Sequence, residues 1–135
     1  MHLKEVLELV VSKKASDLHI TADAPPMIRI DGELVPTDFP VLKVDDTKRL
    51  IYGILNDSQK VRFEKELELD MSLFIPSLSR FRVNIHMQKG AVEAAFRTIP
   101  TDVPAIDTLG LPEVAKTLAR KPNGLVLITG PTGTG

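Results

Sequence analysis

Apolar residues recur with helical spacing at the beginning of the chain. They stand at every third or fourth position: Leu3, Val6, Leu7, Val10 and Val11. The positions between them are polar or charged: Lys4, Glu5, Glu8 and Ser12. An apolar stripe with this spacing predicts an amphipathic helix over residues 2–14 that packs against a core.

Short alternating segments follow this helix. Asp17–Ile20 alternates polar and apolar side chains, which predicts a strand with one buried face. Met27–Ile30 predicts a second strand. Asp31-Gly32 is a strong signal for a two-residue turn, so residues 33–35 are expected to form a hairpin partner.

Two more helices and another strand are predicted in the middle of the chain. The first of these helices carries an apolar stripe made of Leu50, Ile51, Ile54 and Leu55. Asn56-Asp57-Ser58 is expected to end this helix and to cap the next one, which has Phe63 and Leu67 four positions apart. Residues 69–75 then alternate as a strand that Pro76 ends.

The most informative pattern is a pair of alternating segments, residues 80–88 and 92–97, joined by Lys89-Gly90. If only Lys89 and Gly90 form the turn, the apolar faces of the two strands coincide. The opposed pairs are then Val83 with Phe96, Ile85 with Ala94, Met87 with Val92, and His86 with Glu93. A register shifted by one residue would set apolar side chains against polar ones, so the pattern favours this pairing. A three-residue loop would break the correspondence and remains an alternative.

The same register sets Arg82 directly opposite Arg97. Facing like charges cost about a few tenths of a kcal/mol on a solvated sheet. One interpretation is that the two long side chains splay apart in solvent. The other is that they are presented together to a phosphate, for which planar guanidinium groups are suited. A linker separates them from the chain's own phosphate-binding loop, so this second interpretation places the phosphate on a neighbouring subunit.

A glycine-rich segment follows the apolar residues 125–128, which predict a buried strand. Six residues match the first positions of the P-loop G-x-x-x-x-G-K-[ST]: Gly130, Pro131, Thr132, Gly133, Thr134 and Gly135. The backbone N–H groups of such a loop bind a phosphate chain. The lysine and hydroxyl of the motif come after Gly135, so we expect these 135 residues alone neither to hydrolyse ATP nor to bind it tightly. The alternative is an unstructured Gly/Thr-rich tail.

Composition limits the function classes further. Of 135 residues, 43% are hydrophobic and 26% charged, which is enough for a real core. The formal net charge of −1 offers no field for nucleic acid. There is no cysteine, the three histidines (His2, His19 and His86) lack metal-ligand spacing, and no apolar run could span a bilayer. These features predict a cytoplasmic protein without direct membrane insertion.

Asp17 and His19 lie on one face of the first predicted strand. They could form an acid–base pair, but no nucleophile or metal ligand stands near them in sequence. We therefore favour structural polar roles for both residues.

The prolines at positions 100 and 104 mark a boundary. We predict an α+β domain over residues 1–100, a linker over 101–111 and the first helix and strand of a second domain over 112–135. Residues 15–100 contain enough predicted helices and strands to be expected to fold without the rest.

Five ordered motifs, spread along the whole chain, resemble the secretion ATPase superfamily, which includes the type IV pilus motors and the type II and type IV secretion ATPases. The motifs are Ala15-Ser16-Asp17-Leu18-His19-Ile20, Pro25-Pro26-Met27-Ile28-Arg29-Ile30-Asp31-Gly32, Arg80-Phe81-Arg82-Val83-Asn84, Phe96-Arg97-Thr98-Ile99-Pro100 and the segment from Gly124 to Gly135. Only 14 residues precede Ala15. Assembly and secretion ATPases usually carry a long extra N-terminal domain, so the chain is most similar to the retraction ATPases of type IV pili.

This resemblance implies a PAS-like N-terminal domain, a flexible linker and a RecA-like ATPase domain, assembled as a homo-hexamer that uses ATP and Mg²⁺. It implies a motor that drives twitching motility and works with a polytopic platform protein of the inner membrane. Arg82 and Arg97 match positions that contact phosphates of a neighbouring subunit. Gly130, Gly133 and Gly135 match the start of the Walker A loop.

Two alternatives remain at this stage. Within the superfamily, the chain could come from a secretion or pilus-extension ATPase. Outside it, residues 1–100 could be a stand-alone PAS-like sensor or interaction module. A sensor should show an internal ligand cavity, whereas a motor requires Lys-[Ser/Thr] after Gly135.

Overall fold

The computed structural model describes residues 1–100 and 104–130. Two compact units divide the chain, Met1–Thr101 and Asp102–Gly135. The first three residues of the predicted linker and five of the six P-loop residues, Pro131 to Gly135, lie outside the described ranges.

The first unit combines three helices with six strands within residues 1–100. In chain order they are α1 (Leu3–Ser12), β1 (Asp17–Ile20), β2 (Met27–Ile30), β3 (Glu33–Pro36), α2 (Val44–Tyr52), α3 (Asp57–Glu66), β4 (Glu68–Ile75), β5 (Ser79–Gln88) and β6 (Ala91–Ile99). The second unit contains a short 3-10 helix (Ile106–Thr108) and α4 (Val114–Ala119).

All six strands form a single antiparallel sheet in the order β3-β2-β1-β6-β5-β4. Neighbouring strands are adjacent in sequence except at the centre, where β1 pairs with β6. That pairing joins the two halves of the unit and brings the N-terminal segment beside the end of the domain. The expected α+β fold is confirmed.

Both predicted two-residue turns are present. Asp31 and Gly32 have φ values of 49° and 88°, and Lys89 and Gly90 have 48° and 81°. Positive φ at both central residues is the requirement of the hairpin turn whose twist matches the flanking strands. The second turn fixes the predicted β5–β6 register: Val83 pairs with Phe96, Ile85 with Ala94, and Met87 with Val92.

The core lies between the helices and one face of the sheet. Its strand side chains share the face that carries Leu18, Phe96 and Val83, all at most 1% exposed. Helix α1 contributes four core side chains, Leu3, Val6, Leu7 and Val10. A chain that begins at Ala15 would lack these four side chains, and independent folding of residues 15–100 stays a prediction.

The second unit differs from the prediction at residues 125–128. They form no strand, and their side chains are exposed: Leu125 82%, Val126 53%, Leu127 76% and Ile128 87%. A buried strand needs neighbouring strands for its backbone N–H and C=O groups. The part of this unit that the structure describes supplies none. Apolar sequence alone therefore did not produce the predicted strand.

Candidate functional site

A row of charged side chains crosses the polar face of the sheet. Arg29 of β2 pairs with Asp17 of β1, Asp17 pairs with Arg97 of β6, and Arg97 pairs with Arg82 of β5. Side chains alternate between the two faces of a sheet, so burial of Leu18 and its neighbours on one face places all four of these residues on the other. We call these four residues the arginine row.

Arg97 is anchored within this row. Its Nε donates a hydrogen bond of 2.9 Å to Oδ1 of Asp17. The Arg97 side chain is 73% exposed, whereas that of Asp17 is only 13% exposed. The bond therefore ties a solvent-facing guanidinium to a carboxylate that is itself nearly enclosed.

Asp17 has further partners on its other oxygen. The Ser16 hydroxyl donates to Oδ2 at 2.8 Å, and Nε of Arg29 lies 3.5 Å from the same atom. Burial raises the pKa of Asp17, but the hydrogen bonds from Arg97 and Ser16 and the charges of Arg97 and Arg29 outweigh it, so the pKa is below its ordinary value. Asp17 is held ionised and fixed in place.

Arg82 has a looser environment than Arg97. A terminal nitrogen of Arg82 lies 3.9 Å from Oδ2 of Asp70, and the two side chains are 70% and 56% exposed. An exposed pair at this distance holds a side chain weakly. The two opposed arginines are therefore not equivalent: Arg97 is tethered by a hydrogen bond, and Arg82 is held only by a long, exposed ion pair.

An open depression of about 300 Å³ lies over the two arginines. Its lining includes both guanidinium-bearing residues and three polar neighbours, Asp17, Asp70 and Asn84. The row holds three guanidinium groups and one carboxylate, and Asp70 adds a second carboxylate beside Arg82, so one positive charge is left uncompensated. Such a site can bind a phosphate through charge-assisted, bidentate hydrogen bonds.

The facing positions of Arg82 and Arg97 confirm the prediction made from the hairpin pattern. Sequence reasoning missed the contact between Asp17 and Arg97, which lie 80 residues apart along the chain. The available signal was the polar position of Asp17 on a strand whose sheet partner was not predicted.

His19 lies on the same face but has a different environment. Its Nε2 is buried and has no hydrogen-bond partner among residues 1–100 and 104–130. Burial lowers the pKa of His19; Asp17 raises it and Arg29 lowers it. Hydrogen bonds engage Asp17 with Arg97 and Ser16, and none joins it to His19 within these ranges. These contacts favour structural polar roles over an acid–base pair.

The other predicted polar pair, His86 and Glu93, lies face to face with Nε2 of His86 3.9 Å from Oε2 of Glu93. Nδ1 of His86 is 3.1 Å from Oδ1 of Asn84, whose amide donates to Glu68 at 3.2 Å. These residues continue the polar face of the sheet beyond the arginine row.

Of the six candidate P-loop residues, Gly130 lies in the second unit outside any helix or strand, and the other five lie outside the described ranges. Within the ranges that are described, no group of three or more His, Cys, Asp and Glu side chains could hold a metal ion. No helix there is long and apolar enough to cross a membrane.

Comparison with known proteins places this geometry in context. No family model matches the chain. The chain is 45% identical over 135 residues to the type IV pilus retraction ATPase PilT of Pseudomonas aeruginosa, and the match covers the whole chain and 39% of that protein. The chain thus spans well under half the length of this relative.

Two solved structures share the fold. A crystal structure of the pilus retraction motor PilT with bound ADP matches with a TM-score of 0.83 and 37% identity, over 98% of this chain and 39% of that one. The ATPase DotB of Legionella pneumophila matches with a TM-score of 0.80 and 28% identity, over 97% of this chain and 38% of that one. The chain is therefore a PilT-like sequence, and its fold matches the N-terminal domain of PilT and DotB.

Proposed function

We propose that this chain is the N-terminal part of a hexameric, ATP-hydrolysing motor that powers type IV pilus retraction. In this proposal, Arg82 and Arg97 contact the phosphates of ATP held by a neighbouring subunit. The observation that carries it is the pair of solvent-facing guanidinium groups, 70% and 73% exposed, on directly opposed positions of one sheet face. Similarity to a pilus retraction ATPase over the whole chain supports it.

The chemistry of the pair fits phosphoryl transfer. Charge on the transferred phosphoryl group is spread over its oxygens in the transition state, and arginines supplied by another subunit stabilise that charge. Mg²⁺ and the remaining catalytic groups belong to the P-loop and to segments after Gly135. The first unit supplies positive charge and the subunit interface.

The domain layout forms part of the same proposal. Residues 1–100 are a PAS-like domain, residues 101–111 a linker and residues 112–135 the start of a RecA-like ATPase domain. Gly130 to Gly135 form the beginning of the nucleotide-binding loop. The motor works in the cytoplasm against an inner-membrane platform protein, and neither nucleic acid nor membrane insertion is involved.

A secretion ATPase is the second candidate function, and the similarity to DotB favours it. The fold and the arginine row serve either motor equally well, because both would hydrolyse ATP between subunits. Loss of pilus retraction in a deletion strain, with secretion intact, would separate the two.

The direct test is steady-state ATP hydrolysis by the full-length protein with Arg82→Ala or Arg97→Ala. Removing an arginine that acts in trans typically lowers kcat by ~10³-fold or more. The matched control is Arg62→Ala, because Arg62 is also exposed and, among residues 1–100 and 104–130, pairs only with Glu66 of its own helix at 2.9 Å. If Arg82→Ala and Arg97→Ala both keep the wild-type kcat in intact hexamers, the proposal is wrong.

A further inference from the structure

The hydrogen bond between Arg97 and Asp17 restricts how Arg97 can meet an anion. A guanidinium group can bind a phosphate through its Nε side or through its two terminal nitrogens. Nε of Arg97 is occupied by Asp17 at 2.9 Å. In the part of the chain that the structure describes, no partner engages the terminal nitrogens, so Arg97 presents that end to solvent.

Asp17 is suited to hold another residue because it is itself held. Its carboxylate is 13% exposed, and Ser16 and Arg29 engage the oxygen that Arg97 does not use. The strand pairing of β1 with β6 places it directly beside Arg97. Its negative charge also lies between the positive charges of Arg29 and Arg97.

Arg82 provides an internal comparison. It faces the same depression, yet its nearest carboxylate, Asp70, is 3.9 Å away and 56% exposed. An arginine held only by a long, exposed ion pair must lose side-chain freedom when it binds phosphate, whereas one fixed by a hydrogen bond has lost part of it already. The sheet thus offers one ordered and one adaptable guanidinium to the same ligand.

We infer that Asp17 is the positioning residue for Arg97: its half-buried carboxylate binds Nε and aims the terminal nitrogens at the phosphate of the neighbouring subunit. This inference rests on the proposed function. Asp17 does not touch the nucleotide. It acts through Arg97 alone and does not act through Arg82.

A double-variant cycle in the full-length protein tests the inference. Asp17→Asn keeps the shape but removes the charge, and charge-assisted hydrogen bonds are roughly twice as strong as neutral ones. We expect kcat to fall about 10-fold with little change in KM, because the contact aimed by Asp17 strengthens in the transition state. The matched control is Asp23→Asn, since Asp23 is 79% exposed and pairs with Lys43 at 3.5 Å, outside the row.

The coupling pattern separates positioning from general structural support. Asp17→Asn should have almost no further effect once Arg97 is alanine, within about twofold, because the residue it positions is absent. In the Arg82→Ala background, Asp17→Asn should lower kcat by the same factor as in the wild type. A merely structural role would lower activity by the same factor in both backgrounds.

A spectroscopic readout on the 135-residue chain does not depend on catalysis. The ¹⁵N-resolved Nε–H signal of Arg97 should exchange slowly with water in the wild type, because the hydrogen bond to Asp17 protects it. Asp17→Asn should speed that exchange, and Asp23→Asn should leave it unchanged. Should Asp17→Asn lack a cooperative unfolding transition, Ser16→Ala would carry the same tests, since it removes the 2.8 Å bond that fixes Asp17.

Failures of the two proposals are distinguishable. If Arg97→Ala inactivates the motor but Asp17→Asn retains kcat within about twofold of wild type, the positioning role is wrong and the proposed function stands. Equal effects of Asp17→Asn in the Arg97→Ala and Arg82→Ala backgrounds would also overturn it. If Arg97→Ala itself retains full activity, the assigned function of Arg97 and the positioning role fail together.

Discussion

Replacing Arg82 or Arg97 by alanine should change stability unequally, although the two arginines face each other. Arg82 pairs loosely with Asp70 at 3.9 Å, and both side chains are more than half exposed. Such a pair contributes ~0–1 kcal/mol, and removing Arg82 also relieves about a few tenths of a kcal/mol of like-charge repulsion. We expect Arg82→Ala to stay within about ±0.5 kcal/mol of wild type.

Arg97→Ala should be clearly destabilising. It removes a 2.9 Å hydrogen bond from a carboxylate that is 13% exposed, leaving Asp17 with Ser16 and a more distant Arg29. Hydrogen bonds to charged groups contribute about 1.5–3 kcal/mol. The Arg97 side chain is 73% exposed, so solvent screening, together with relief of the same like-charge repulsion, brings the loss below that range, to ~1 kcal/mol. For a domain of this size that lowers Tm by about 4–8 °C.

The pH dependence of this difference gives a second check. The folded pKa of Asp17 is below its ordinary value of 3.8, so the stabilisation is fully present above that value and is lost as pH falls through the folded pKa. Thermal and urea unfolding of the 135-residue chain at about pH 7, and then in steps below about pH 4, measures it. Equal destabilisation by Arg82→Ala and Arg97→Ala, or a difference between them that persists in acid, would show that Asp17 does not anchor Arg97.

Two further predictions concern the first unit. Phe63 is fully buried and meets Tyr52 edge-on, with ring centroids 6.2 Å apart. Phe63→Ala should lower the free energy of unfolding in urea by about 3–5 kcal/mol. The control Val61→Ala, at a side chain that is 67% exposed, should lower it by less than about 0.5 kcal/mol. Burial lowers the pKa of His19, so its contribution to stability is present above the ordinary value of 6.5 and is lost as pH falls. His19→Gln should remove that part of the pH dependence, and an unchanged profile between about pH 7 and 5 would contradict it.

The hairpin of β5 and β6 could be predicted from sequence because its information is local. Lys89-Gly90 defines the turn, and the apolar residues of both strands match in only one register. That register by itself sets Arg82 opposite Arg97. The turn at Asp31-Gly32 was accessible for the same reason.

The pairing of β1 with β6 could not be predicted in this way. No turn connects the two strands, and Asp17–Ile20 is short enough to pair with any exposed edge. The contact between Asp17 and Arg97 depends on that pairing, so the role of Asp17 was invisible in the sequence. At residues 125–128 the sequence predicted a buried strand that the structure lacks. An apolar segment is buried as a strand only where neighbouring strands can pair with it.

The action of Arg82 and Arg97 on nucleotide bound by a neighbouring subunit is tested most directly by mixing two inactive full-length proteins. One carries Arg82→Ala and the other a substituted Walker A lysine, which follows Gly135 in the P-loop pattern. Mixed hexamers contain interfaces that join an intact arginine to an intact P-loop, so ATP hydrolysis should reappear and peak at intermediate mixing ratios. If subunit exchange is demonstrated and no ratio restores activity, the arginines do not act in trans.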